Sequence, residues 1–226
     1  MEIWMKRILI SVILSLSIAF VVSPAFSQNR YYLDGQNGIS IAGTFQGGED
    51  YTAFGAIVDF TVNGIFDLGV GLARASFDQD EYGPNFSSFE VSPYLLVSLV
   101  RPSGISSVGF DLGFSYGSST SSGDVLDANN VDMLSSGYNA GGEVYFNINS
   151  SPGLRILPAL SISYTSVTSK IESDYGGSEE ETVSGVSMGA EVSFFLNHRV
   201  FIVPAFRYFE ESAAWGIKAG WTIPTS

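Results

Sequence analysis

From position 38 to the C-terminal end, apolar and small or polar residues alternate with a period of two along nearly the whole chain. Phe54, Ala56, Val58, Phe60 and Val62 share one face of the segment 53–62. In 65–77, Phe66, Leu68, Val70 and Leu72 oppose Asp67, Gly69, Gly71, Ala73 and Ala75. In 108–117, Val108, Phe110, Leu112, Phe114 and Tyr116 oppose Gly109, Asp111, Gly113, Ser115 and Gly117. Alternation of this kind is the signature of a strand, and helical spacing fits none of these windows. Ten strands are predicted, near 38–46, 52–62, 65–77, 87–100, 106–118, 136–149, 154–169, 183–197, 199–210 and 213–223.

Most of these are longer than the ~5–6 residues usual in soluble sheets, and they match the ~9–11 residues with which a tilted strand crosses a bilayer. The polar face separates a membrane barrel from a soluble one. It is made mostly of Gly, Ala and Ser, which suits a cramped lumen better than a solvated exterior. The apolar face is bulky throughout, as contact with lipid requires. Its aromatics gather at strand ends. Phe45, Phe54, Phe89, Tyr116, Tyr138, Tyr164, Tyr208 and Trp215 lie at one end, and Phe60, Phe66, Phe110, Phe146, Phe194 and Trp221 at the other. Two such girdles mark the two headgroup levels. The expected fold is an all-β, closed, antiparallel up-and-down transmembrane barrel of ten strands, or eight if one hairpin stands outside the membrane.

The first 27 residues stand apart. Lys6 and Arg7 precede the apolar run 8–22, and Ala25-Phe26-Ser27 supplies small residues at a cleavage site. A secretory signal peptide over 1–27 is expected, with the barrel domain over 28–226. Short turns (62–64, 101–105, 150–153, 197–199) alternate with longer polar stretches at 78–86, 119–135 and 170–182. Short turns on the periplasmic side and longer connections outside, with both termini periplasmic, are the rule for an even-stranded barrel.

The whole pattern resembles the small outer-membrane β-barrel proteins of Gram-negative bacteria, the OmpA-like barrel and its porin-family relatives. Ile202-Val203-Pro204-Ala205-Phe206-Arg207-Tyr208 and Ile156-Leu157-Pro158-Ala159-Leu160 look like strand phrases of that group. The resemblance implies residence in the cell outer membrane. It also implies outer-membrane lipid, including lipopolysaccharide, and the barrel-assembly machinery as partners. That machinery would have to tolerate the short extension beyond Trp221.

Charge sharpens the functional expectations. Ten Lys and Arg face 23 Asp and Glu, a formal net charge of −13. So acidic a chain is no partner for nucleic acid, which needs the opposite sign. Fifteen acids fall in the five external connections, the three long stretches and the short ones at 46–50 and 210–212, and six of these, Asp124, Asp127, Asp132, Glu179, Glu180 and Glu181, are candidates for weak divalent-cation binding. The inward parity carries Asp59, Asp67, Glu90, Asp111, Glu143 and Glu191 against Arg155, Arg207 and Lys218. Either a salt-bridged plug or a polar path for small solutes would use such a set. A three-residue turn at Val62-Asn63-Gly64 would make Asp59 and Asp67 direct cross-strand neighbours, with a cation or shared proton between them. Arg74 has lipid-facing parity near the external end and is expected to snorkel to the headgroups. Pro93, Pro158 and Pro204 also face outward, each implying a local break in a ladder.

Chemistry is not anticipated. There is no cysteine, and the one histidine, His198, falls in a periplasmic turn far from the external serines. No cofactor is expected. The leading expectation is a non-enzymatic barrel acting in envelope structure or in contact with an external ligand. A narrow cation-preferring pore lined by Glu90, Asp111, Glu143 and Glu191 is the alternative, and an outer-membrane hydrolase a more distant one.

Overall fold

The computed structural model describes residues 36–48, 51–77, 86–102, 107–123, 126, 131–151, 153–173, 177–197, 199–209 and 212–225. The expected signal peptide lies outside them. Eleven strands follow in order: β1 (Asn37–Gly48), β2 (Tyr51–Val62), β3 (Phe66–Phe77), β4 (Phe86–Val100), β5 (Val108–Ser122), β6 (Val131–Phe146), β7 (Ile148–Ser151), β8 (Leu154–Ser173), β9 (Gly177–Leu196), β10 (Val200–Phe209) and β11 (Ser212–Thr225). β6 and β7 are one stave interrupted at Asn147, since both pair with β8 in antiparallel register. Neighbours in sequence pair throughout, and β1 pairs with β11, so ten staves close into a barrel with no edge between the termini.

The register sets the tilt. A path of paired residues leaves β1 at Gly38 and passes Thr61, Asp67, Leu96, Gly113 and Gly141. It continues through Ser163, Ser187, Phe209 and Ser212 and regains β1 about twelve residues further along. A stagger of that size in ten staves inclines them by roughly 40° to the barrel axis.

Orientation follows the sequence parity. Phe54, Leu68, Leu112, Phe114, Leu160, Trp215 and Trp221 are exposed on the outer surface, whereas Asp59, Asp67, Asp111 and Glu143 are buried inside. Such a broad exposed apolar surface is tolerable only against lipid. The external girdle is continuous over much of the circumference. Phe45 pairs with Phe54, with ring centroids 4.9 Å apart, and stands 5.3 Å from Trp215. Tyr116 pairs with Tyr138, whose ring lies 6.2 Å from that of Tyr164. Arg74 sits inside this girdle, paired with Phe54 on one side and Phe89 on the other.

All three outward prolines coincide with gaps in a ladder. The β4–β5 pairing skips Ser92 and Pro93, the β9–β10 pairing skips Val203 and Pro204, and β6 breaks off where Pro158 should face Phe146. Each proline lacks an N–H and keeps its register on the opposite side, with Val70, Ile217 and Val192 respectively.

Two of the stretches expected as external loops are largely strand. β5 runs on to Ser122 and β6 starts at Val131, so 119–135 is mostly a hairpin wall. β8 reaches Ser173 and β9 starts at Gly177, so 170–182 is nearly all paired. Outside the membrane a strand needs no apolar face. Ser and Thr hold the ladder there, as in the Ser135–Ser169 and Thr168–Thr182 hydroxyl pairs at 2.7 and 2.8 Å. Residues 78–85 lie outside the described set.

Candidate functional site

Six charged side chains form a belt in the lumen: Asp59, Asp67, Asp111, Glu143, Glu191 and Lys218, all buried. Asp111 and Glu143 are direct cross-strand partners. Ser98 donates to Asp111 at 2.6 Å, and the Thr61 hydroxyl donates to Asp67. Lys218 on β11 pairs with Thr44 on β1 and Val203 on β10, and Asp59 on β2 pairs with Ser40 on β1, so a single stave separates the two charges. Arg207 is diagonal to Glu191, since Ala205 pairs with Glu191 and Arg207 with Gly189. All six, and Arg207, are buried on the inward parity.

The relation of Asp59 to Asp67 differs from the expectation. Asn63 and Gly64 form the turn, at φ 51° and 58°, with the Ile65 N–H donating to the Val62 carbonyl at 2.9 Å. These are the two left-handed positions of a type I′ turn. Ile65 is then an extra residue, and Val62 pairs with Phe66. The three-residue loop is thus 63–65 and not 62–64, and every cross-strand partner moves by two positions. Asp59 faces Gly69, Asp67 faces Thr61, and the two carboxylates are diagonal neighbours. No cation between direct partners is needed.

Two charges stand apart from the belt. Glu90 lies nearer the external end, above Ser92, with Ala73 and Ser119 as cross-strand partners. Arg155 is half-buried at the periplasmic end, its guanidinium carbon 4.9 Å from the centroid of the Phe195 ring.

Large side chains fill the space left around these charges. Tyr94 lies over Gly69, Tyr145 over Gly109 and Arg207 over Gly189, each within 3 Å of where a Cβ would stand. Glycine on the facing strand makes that room. At the external mouth, Tyr51, Ala53, Ala75, Phe77, Leu126, Met133, Val167, Ile171 and Ala214 form an apolar cluster across the lumen. At the other end, Ala42, Tyr145, Leu157, Ala159, Phe195, Phe201 and Val203 form a second. Inside the lumen, the space beside Thr44, Glu191, Arg207 and Lys218 measures about 30 Å³, and that beside Gln46, Ser88 and Glu90 about 20 Å³. Either holds about one water. A polar layer of Asn139, Ser163, Thr165 and Ser187 is stitched by hydrogen bonds of 2.7–3.0 Å. Sequence reasoning missed these caps, because it weighed the inward charges and passed over inward Tyr51, Phe77, Met133 and Ile171.

The external acids are dispersed. Asp132 on β6 faces Glu172 on β8, while Glu180 faces Lys170, which forms an ion pair with Glu172. Glu179 faces Ile171, and Glu181 faces Ser169. Among the described residues no group of three or more metal-ligating side chains comes together. Asp124, Asp127 and His198 lie outside the described residues.

No protein-family model matches this chain, and no curated protein matches it in sequence. Solved structures do. The translocator domain of the autotransporter NalP from Neisseria meningitidis matches with a TM-score of 0.52 at 9% identity, over 98% of this chain and 96% of that one. Ail, the attachment invasion locus protein of Yersinia pestis, matches with a TM-score of 0.42 at 15% identity, over 84% of this chain and all of that one. The transport unit of AIDA-I from Escherichia coli has a TM-score of 0.45 at 10% identity, over 94% and 97%. At these identities the likeness is one of fold: a transmembrane β-barrel of the outer-membrane type.

Proposed function

We propose that this outer-membrane barrel is a non-enzymatic surface protein that contacts ligands through its external wall and does not conduct solutes. The observation that carries the reading is the filled lumen. Among the described residues, one space beside the belt at Glu191, Arg207 and Lys218 measures about 30 Å³ and one beside Glu90 about 20 Å³, and an apolar cluster crosses the external mouth. A hydrated ion entering there would shed water against Phe77, Met133 and Ile171. In this reading the belt charges fill the interior, and the cation-preferring pore is the alternative against which it is tested.

The exterior supports the other half of the reading. β8 and β9 are each 20 residues long, about twice what a bilayer crossing needs. The surplus rises beyond the girdle and carries Glu172, Glu179, Glu180 and Glu181, with Asp132 of β6 facing Glu172. Arg74 pairs with the girdle residues Phe54 and Phe89, and we propose headgroup phosphate of lipopolysaccharide as its contact.

Planar-bilayer recording of the refolded protein tests this. Silence is expected both for the native chain and for Glu143→Gln. Steady openings whose ion selectivity changes in Glu143→Gln would establish the pore instead.

A further inference from the structure

One strand edge in this closed barrel is open. β9 pairs with β8 over its entire length, from Ser173↔Gly177 to Leu154↔Leu196, without an irregularity. On its other side, the pairing with β10 ends at Phe209↔Ser187. Among the described residues, 177–186 therefore have a partner on one side only. The level of this edge is fixed by Tyr164, a girdle residue, which pairs with Val186. Everything from Val186 to Gly177 thus stands at or above the lipid surface. At ~3.3 Å per residue the free edge is about 30 Å long.

An unpaired edge presents backbone N–H and C=O groups at every second residue, which is a template for one more strand. Proteins normally blunt such edges with proline, bulges or inward charge. Here the ladder is regular, and proline is absent from 177–186. The one deterrent is the run Glu179-Glu180-Glu181, and its sign decides who is deterred. A second copy of this chain would bring the same glutamates alongside, which repel. A basic strand would find them complementary.

We propose that the free edge of β9 captures an extended, basic polypeptide segment by strand addition, main-chain hydrogen bonds giving affinity and Glu179, Glu180 and Glu181 giving selectivity for Lys or Arg. This rests on the surface-contact reading and names the class of partner for it.

The probe is an alternating lysine–valine decapeptide added to the membrane-inserted protein at low salt. Binding is expected, with amide exchange across 178–186 slowed at least tenfold. The same peptide N-methylated on its backbone amides keeps its charge and loses its donors, and should bind at least tenfold more weakly. Replacing all three glutamates by glutamine should weaken the unmethylated peptide by a similar factor. Thr182→Pro and Val183→Pro form a second check. One of the two N–H groups faces β8 and the other the open side. Only the open-side proline should keep hairpin stability while losing the peptide.

Equal binding of the methylated peptide, or unchanged exchange at 178–186, would overturn strand addition. So would concentration-dependent dimers that protect the same amides. These results leave the surface-contact reading standing, because bilayer conductance tests that reading separately.

Discussion

Arg74 shows how far a single position can be judged from depth. It has lipid-facing parity, which at mid-bilayer would cost roughly 2–4 kcal/mol, and near an interface about 0–1 kcal/mol. Its partners Phe54 and Phe89 put it at the external interface. Arg74→Leu should therefore change stability by no more than about 1 kcal/mol, whereas Val70→Arg, set between Val58 and Pro93, should cost about 2–4 kcal/mol. Denaturant unfolding in lipid vesicles measures both. Parity made the facing of Arg74 and of all the belt charges legible in the sequence. The contacts of Asp59 and Asp67 were not, because the three-residue loop is 63–65 and not 62–64, which moves every partner by two without changing which face either carboxylate takes. Parity survives such a shift, and pairing does not.

At the scale of elements, the prolines were legible as breaks, and the structure adds which ladder each one breaks. Pro204 interrupts β9–β10 and leaves β10–β11 whole. Pro204→Ala restores one donor, and its net effect should be a gain of about 0.5–1.5 kcal/mol in the same unfolding assay. Loss of stability would mean that the ring itself packs usefully. The tall hairpins were not legible. Ser, Thr and Glu in 119–135 and 170–182 read as loop by composition, yet in water such residues satisfy a ladder as well as apolar ones do. Deleting 168–182 and joining Val167 to Val183, which are direct partners, through an Asn-Gly turn should leave a barrel that still shifts on heating in gel electrophoresis. Every remaining stave keeps both neighbours, so a chain that fails to insert would show that the wall is needed for assembly.

For the whole molecule, one arrangement governs the rest: bulky side chains outside, and small, charged or capping ones within. The acidity of the chain belongs to two places with different physics. The belt acids are buried in the lumen, whereas those of the outer wall stand in water, where salt screens them. The most direct measurement uses the two native tryptophans of the chain from Gln28 onward, Trp215 and Trp221, both more than half exposed and placed in opposite girdles. In vesicles of lipid brominated along the acyl chains, both should be strongly quenched, with little access to aqueous acrylamide. Unquenched tryptophans that acrylamide reaches freely would contradict the lipid-facing assignment, and with it the barrel's place in the membrane.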